Sequence, residues 1–255
     1  MAIYAVHHSE PKFIFIINFK VMYSTLFSIL PVHFPSISFL YKKDVKYIPF
    51  KKYTTISISR NPFRRTVSTY YDKCLKSSRN QLQKEASQLQ YCQHQLLDAL
   101  TRIRGNKFEI SEPAKEFTYS MHKNERALLD DNFNLLMTVD FEEYVKCLEL
   151  ILATDKADGH FEQQWKAFDI PNQNSFFFPN KLFNNTQCFK LENINEKWDN
   201  ICSLLDKPIT LKRLNRTNHE RKDYTSFYTA KTRFSIEKLY KKDFSKFKYS
   251  TLLGA

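Results

Sequence analysis

The chain has 255 residues, 42% hydrophobic and 15% aromatic, which suits one α/β domain with a real core and excludes wholesale disorder. Only 3 glycines are present, so a Gly-rich dinucleotide fingerprint is excluded. A formal charge of +12, from 39 Lys+Arg against 27 Asp+Glu, draws anions: nucleotide phosphates, acidic glycans, nucleic acid or anionic lipid.

The apolar run Phe13–Ile17, rich in β-branched and aromatic residues, reads as a buried parallel strand. Lys20 to Leu30 follows as a helix that Pro31 is expected to end. The wider stretch from Phe13 to Leu40 is the most apolar in the chain, but Asn18, Lys20, His33 and two prolines interrupt it, so a strand and helix describe it better than a membrane span. Tyr53–Ser59 is a second strand, and Asn61-Pro62 opens a helix through Val67, Tyr70 and Tyr71, with Asn as N-cap and Pro in the first turn.

Gln81–Arg104 carries an apolar stripe at helical spacing and is ended by Gly105. Asp140-Phe141-Glu142-Glu143 has the form of a capping box opening a helix through Ala153. Phe176 to Phe189 reads as a loop leading into a strand at Cys188–Leu191, followed by helices at Asn195–Leu205 and Thr232–Phe244. No Pro/Gly/Ser-rich linker divides the chain, so one domain over 1–255 is expected. The 5 cysteines (Cys74, Cys92, Cys147, Cys188, Cys202) are odd in number and widely spaced, which suggests free thiols in a reducing compartment and neither a disulfide framework nor a zinc site.

Strand, turn, helix, twice over, implies an α/β fold with a parallel sheet, and ligands of such sheets bind beyond the carboxyl ends of the strands. Lys20 and Arg60 each occupy that position. Lys20-Val21-Met22-Tyr23-Ser24-Thr25 sets a lysine and hydroxyls between a strand and a helix N-terminus, where backbone N–H groups favour a phosphate. It lacks the glycines of a Walker A loop. Arg60 can grip a phosphate bidentately, and Ser68 lies about two helical turns further on. Read without any family, both segments are equally compatible with basic, solvated helix starts.

Arg60-Asn61-Pro62-Phe63-x-Arg65-x-x-Ser68-x-Tyr70 resembles the 3′-phosphate motif of sulfotransferases, and the Lys20 segment resembles their 5′-phosphosulfate loop. The likeness continues through His160-Phe161-Glu162-Gln163-Gln164, Phe189 to Ile194, Asn215-Arg216-Thr217 and the closing Tyr240-x-x-Asp243-x-x-x-Phe247-x-Tyr249, spanning about residues 13 to 249. It is nearest to the membrane-type carbohydrate sulfotransferases and their bacterial relatives. The resemblance implies a P-loop-like three-layer sandwich, with a central parallel sheet flanked by helices. It also implies transfer of a sulfuryl group from 3′-phosphoadenosine-5′-phosphosulfate to a hydroxyl of a glycan or other acceptor, without a metal.

By the same resemblance, Lys20, Ser24 and Thr25 hold the phosphosulfate, Arg60 and Ser68 the 3′-phosphate, and Arg221 or Lys222 closes over the nucleotide. Lys20 also neutralises the bridging oxygen, and His33 or His160 is the base. The sequence departs from the family pattern at Phe19, where proline is usual, at Met22 and Tyr23, where small residues are usual, and at Asn61 for Asp. The cysteines that often follow the His160 segment are absent. With no anchor or signal read in this chain, a cytoplasmic location is expected, with a membrane-associated or Golgi-type luminal one if an anchor lies outside it. Competing readings are a phosphotransferase, a basic polyanion-binding module with no specific nucleic-acid motif, and an inactive relative.

Overall fold

In the computed structural model, which describes residues 2–75, 91–105, 131–170, 181–211 and 223–254, the apolar run at Phe13–Ile17 is a strand buried along its whole length. It is the second strand, β2, because Ile3–His7 precedes it as β1. Helix α1 (Tyr23–His33), β3 (Ser38–Tyr41), α2 (Lys42–Val45), β4 (Thr54–Ser59) and α3 (Pro62–Tyr70) follow. Then come α4 (Tyr91–Arg104), α5 (Phe141–Leu152), α6 (Lys181–Asn184), β5 (Thr186–Lys190), α7 (Ile194–Leu204), α8 (Ala230–Leu239) and α9 (Lys241–Lys246).

The sheet runs β3-β1-β2-β4-β5. Strands β2, β4 and β5 are parallel to one another, in the register Ile16↔Ser57 and Ser57↔Cys188. β1 pairs antiparallel with β2, and β3 with β1. Side chains alternate across the sheet, and the central strands β1, β2 and β4 are buried on both faces. Phe13, Phe15, Ile17, Ile56 and Ile58 meet Leu26 and Leu30 of α1 and Trp198 and Ile201 of α7 on one face. Ile14 and Ile16 meet Phe50, Phe168, Leu182 and Phe247 on the other. The result is three layers, helix on sheet on short helices, in one α/β fold.

The residues fall into two compact units: Met1–Arg65, Gln163–Asp223 and Tyr240–Ala255 in the first, Thr66–Glu162 and Tyr224–Leu239 in the second. The sheet belongs to the first. The second is helical. There Tyr70 packs edge-on to Phe141 and donates to the Val139 carbonyl at 2.9 Å. Arg104 meets Glu143 through two hydrogen bonds of 3.0 and 2.8 Å, joining α4 to α5.

Several local expectations change in detail. Pro31 does not end α1: in the last turn its missing N–H removes a single intrahelical bond, and Phe34 N–H closes the helix on Leu30 O at 2.8 Å. The expected helix over Thr232–Phe244 is two helices broken at Tyr240, where Phe244 N–H starts a new turn on the Tyr240 carbonyl at 3.0 Å. The fifth strand begins earlier than expected, at Thr186, after the short α6. Residues 81–90 of the expected long helix and 176–180 of the expected loop lie outside the described residues. The capping box holds, with Asp140 Oδ1 accepting from Glu143 N–H at 2.8 Å. The segment from Phe13 to Leu40 is β2, α1 and most of β3, and among the described residues no helix is long and apolar enough to cross a membrane.

Strand β1 is locked to the layer beneath it by the fully buried Tyr4, whose hydroxyl donates to the Ala167 carbonyl at 2.6 Å. Removing the hydroxyl leaves that buried carbonyl without this donor. Tyr4→Phe is expected to lower unfolding free energy by about 1–2 kcal/mol in a denaturant titration, and an unchanged midpoint would show that this bond does not hold β1 in place.

Candidate functional site

β2 and β4 are adjacent and parallel, so the residues that leave their carboxyl ends emerge side by side. Asn18 to Met22 leave β2, and Arg60 leaves β4. The Arg60 guanidinium donates to the Lys20 carbonyl at 3.2 Å, and the buried Arg65 donates through Nε to the Phe19 carbonyl at 3.3 Å. The structure therefore brings the Lys20 segment and Arg60 together. Arg65, in the run for which a solvated helix start is the alternative reading, is buried against the loop.

The loop does without glycine at a cost. Lys20 and Met22 take left-handed backbone conformations, φ 64° and 54°, each about 1–2 kcal/mol unfavourable for an L residue with a side chain. Val21 between them is buried in the core and anchors the turn. The bulky residues that replace small ones also have partners. Phe19 stacks on Tyr23 at 4.8 Å, Tyr23 on Phe27 at 5.3 Å and Phe27 on Phe39 at 4.0 Å. An aromatic ladder thus runs from the loop along α1 to β3.

Met22 is the N-cap of α1 and supplies no side-chain acceptor, so the first-turn N–H groups at Ser24 and Thr25 lack the usual cap from that position. Ser24 is exposed there and Thr25 buried. At the start of the loop, the buried Asn18 Nδ2 has no hydrogen-bond partner among the described residues. Asn18 was not singled out from sequence. An uncompensated buried donor signals a ligand only once burial is known.

Arg60 is fixed from three sides. Gln164 grips its peptide groups, accepting from Arg60 N–H at 2.9 Å and donating to Arg60 O at 2.8 Å. Asp243, fully buried, holds the Gln164 backbone in turn: its two carboxylate oxygens accept from the N–H groups of Gln164 and Trp165, each at 2.9 Å. Glu192, at the end of β5, accepts from Asn61 N–H at 2.9 Å and from the Tyr249 hydroxyl at 2.8 Å. Tyr249 also meets Ser59 Oγ at 3.2 Å. Asn61 Oδ1 caps α3 through Phe63 N–H at 2.9 Å, so Asn serves where Asp is usual. Burial raises the Tyr249 hydroxyl well above its ordinary value, with Glu192 adding to the effect, so it stays a donor.

Three other expected site residues fall among the described residues. His33 is at the far end of α1, about 13–14 Å along the helix axis from Ser24, and its carbonyl accepts from Lys207 Nζ at 2.7 Å. Ser68 is half-buried on α3, in the part that belongs to the helical unit. His160 is in the helical unit too, with Nδ1 2.6 Å from Asp158 Oδ1. Arg221, Lys222 and Asn215–Thr217 lie outside the described residues.

A model of the family described as the sulfotransferase family matches residues 33–250 of the chain. No curated protein and no solved structure matches it significantly.

The support beneath Arg60 is sensitive to pH. Burial pushes the Asp243 carboxyl up from 3.8 to about 6, against the pull of the Trp165 N–H, the Arg65 charge and the Gln164 N–H. The raised value means that the folded state holds this proton more tightly than the unfolded chain. Stability from this group is therefore complete below about pH 4 and is lost as pH rises through about 6. Relative to Asp243→Asn, the wild type is expected to lose roughly 2–3 kcal/mol of unfolding free energy across that window. Urea titrations at a series of pH values measure this, and a difference that is flat or grows with pH contradicts it.

Proposed function

The chain belongs to the sulfotransferase family, and on that premise we propose that it moves a sulfuryl group from 3′-phosphoadenosine-5′-phosphosulfate to a hydroxyl of a carbohydrate. The observation that carries this reading is the meeting of the Lys20 loop and Arg60 at the carboxyl ends of β2 and β4, held by a hydrogen bond of 3.2 Å. A guanidinium presents its N–H donors as a planar fork that matches the oxygens of a phosphate. Ser24, Thr25 and the first-turn N–H groups of α1 suit the 5′-phosphosulfate, and Asn18 Nδ2 is a buried donor at the start of the same loop. Arg60 and Ser68 are the proposed 3′-phosphate ligands. One domain over the whole chain is part of this reading, since the family match runs through both units.

Sulfuryl transfer is an in-line displacement, comparable to phosphoryl transfer, in which positioning and charge stabilisation dominate. In this reading the Lys20 ammonium neutralises the bridging oxygen as its bond to sulfur breaks, and the acceptor oxygen forms the new bond from the opposite side. The acceptor proton leaves to a base, for which His33 or His160 is proposed. A basic chain suits an acidic glycan as acceptor. A second reading, a relative that binds the nucleotide without turnover, has one observation in its favour: Phe19, where proline is usual, stacks on Tyr23, where a small residue is usual.

The test is transfer of labelled sulfate from 3′-phosphoadenosine-5′-phosphosulfate to a panel of neutral and acidic glycans. Turnover is expected for the wild type, with Lys20→Ala slower by about 10²–10³-fold. Nucleotide binding without turnover on any acceptor favours the second reading, and absence of both sinks the proposal.

A further inference from the structure

We propose that Cys92, Asp158 and His160 form a binding site for a divalent transition-metal ion of the zinc class, fastening the turn at 158–161 to the start of α4. One donor atom from each of the three side chains lies within 4.8 Å of the other two. All three residues belong to the helical unit, and neither the family match nor the nucleotide reading gives them this role. Bonds of about 2.3 Å to sulfur and 2.0–2.2 Å to nitrogen and oxygen place neighbouring tetrahedral ligands roughly 3.3–3.8 Å apart. Shifts of an ångström or less convert the observed cluster to that geometry.

The site is built rather than incidental. Gln95, one helical turn after Cys92 on the same face of α4, accepts from Asp158 N–H at 2.9 Å and donates to the Lys156 carbonyl at 2.8 Å. That pair of bonds holds the loop against the helix, as outer-shell groups do around a metal. Asp158 Oδ1 lies 2.9 Å from His160 N and 2.6 Å from its Nδ1, which orients the ring. The turn is closed by Phe161 and Glu162 N–H groups on the Asp158 carbonyl, each at 2.9 Å, and by the fully buried Phe161 side chain. Burial opposes ionisation of Asp158, yet its hydrogen bond and charge interaction with His160 hold the carboxyl below its ordinary value.

One thiol, one imidazole and one carboxylate make a mixed soft and borderline donor set. It suits Zn²⁺ or Co²⁺ and does not suit Mg²⁺ or Ca²⁺, which take oxygen ligands. Three protein ligands leave a fourth position for water. Cys92 is buried, whereas Asp158 and His160 are part-exposed, so the ion enters from their side. On binding, the Cys92 thiol forms its bond to the metal as thiolate and releases its proton to solvent. Burial holds the thiols of Cys74 and Cys147 well above their ordinary range, Cys147 at about 12, so those two stay protonated. Coordination also removes His160 from the pool of bases for the acceptor hydroxyl.

The experiment uses the full chain stripped with a chelator and titrated with Co²⁺ alone, then with Zn²⁺ as competitor. The expected result is one equivalent of Co²⁺ with a thiolate-to-cobalt charge-transfer band that Zn²⁺ abolishes. Cys92→Ser should lose the band, His160→Ala and Asp158→Asn should weaken binding by at least about 10-fold, and the exposed Cys188→Ser should keep both. Circular dichroism checks folding. If Cys92→Ser does not fold, His160→Ala, at a part-exposed position, decides. Absence of the band overturns the proposal, as does a band that survives Cys92→Ser or His160→Ala and disappears in Cys188→Ser. The readout needs neither nucleotide nor turnover, so failure of the sulfotransferase reading leaves it standing.

Discussion

The loop after β2 turns without glycine, and the structure around it is organised by what that requires. Two residues with side chains, Lys20 and Met22, sit at φ 64° and 54°. Such a turn persists only where its surroundings over-determine it. Arg60 and Arg65 supply that constraint by donating to the carbonyls of Lys20 and Phe19. Hydrogen bonds from a charged donor contribute about 1.5–3 kcal/mol each, enough to offset two left-handed residues at about 1–2 kcal/mol each. Arg60, at the proposed anion site, and Arg65 are thus the residues that hold the backbone of this loop.

That dependence passes outward to segments far apart in sequence. Arg60 keeps its place because Gln164 bonds both of its peptide groups, and Gln164 keeps its own because Asp243 accepts from its backbone. On the other side, Glu192 joins Asn61 to Tyr249. The charges are arranged to match. Asp243 and Arg65, both buried, interact favourably with each other, and Glu192 is taken up by an N–H and a hydroxyl. Lys20 and Arg60, both part-exposed, stand where an anion can reach them.

Much of this was legible in the sequence. β-Branched and aromatic runs gave β2 and β4 within a residue, and Asn61-Pro62 and Asp140–Glu143 gave two helix starts, because each is a local signal. The strands at Ile3–His7 and Ser38–Tyr41 were missed. The first has the right composition but lies in the antiparallel part of the sheet, outside the strand–helix repeat that guided the reading. The second is four residues long and gains its identity only by pairing with β1. Arg65 shows the limit most clearly. Arg64-Arg65 reads as surface charge, and only the fold reveals that Arg65 is buried under the Phe19 carbonyl. Departures at Phe19 and Tyr23, which look disruptive in isolation, are complementary once stacked. Cys92 lies too far along the chain from Asp158 and His160 for any ligand spacing to have marked the three together.

The central claim is that the carboxyl ends of β2 and β4 form one nucleotide site, and calorimetric titration of adenosine 3′,5′-bisphosphate into the wild type and Arg60→Ala at two salt concentrations tests it most directly. The account expects saturable binding with one equivalent that persists at the higher salt and is lost in the variant. Binding that is absent, or that vanishes with salt and ignores Arg60, would contradict it and leave a generic polyanion surface.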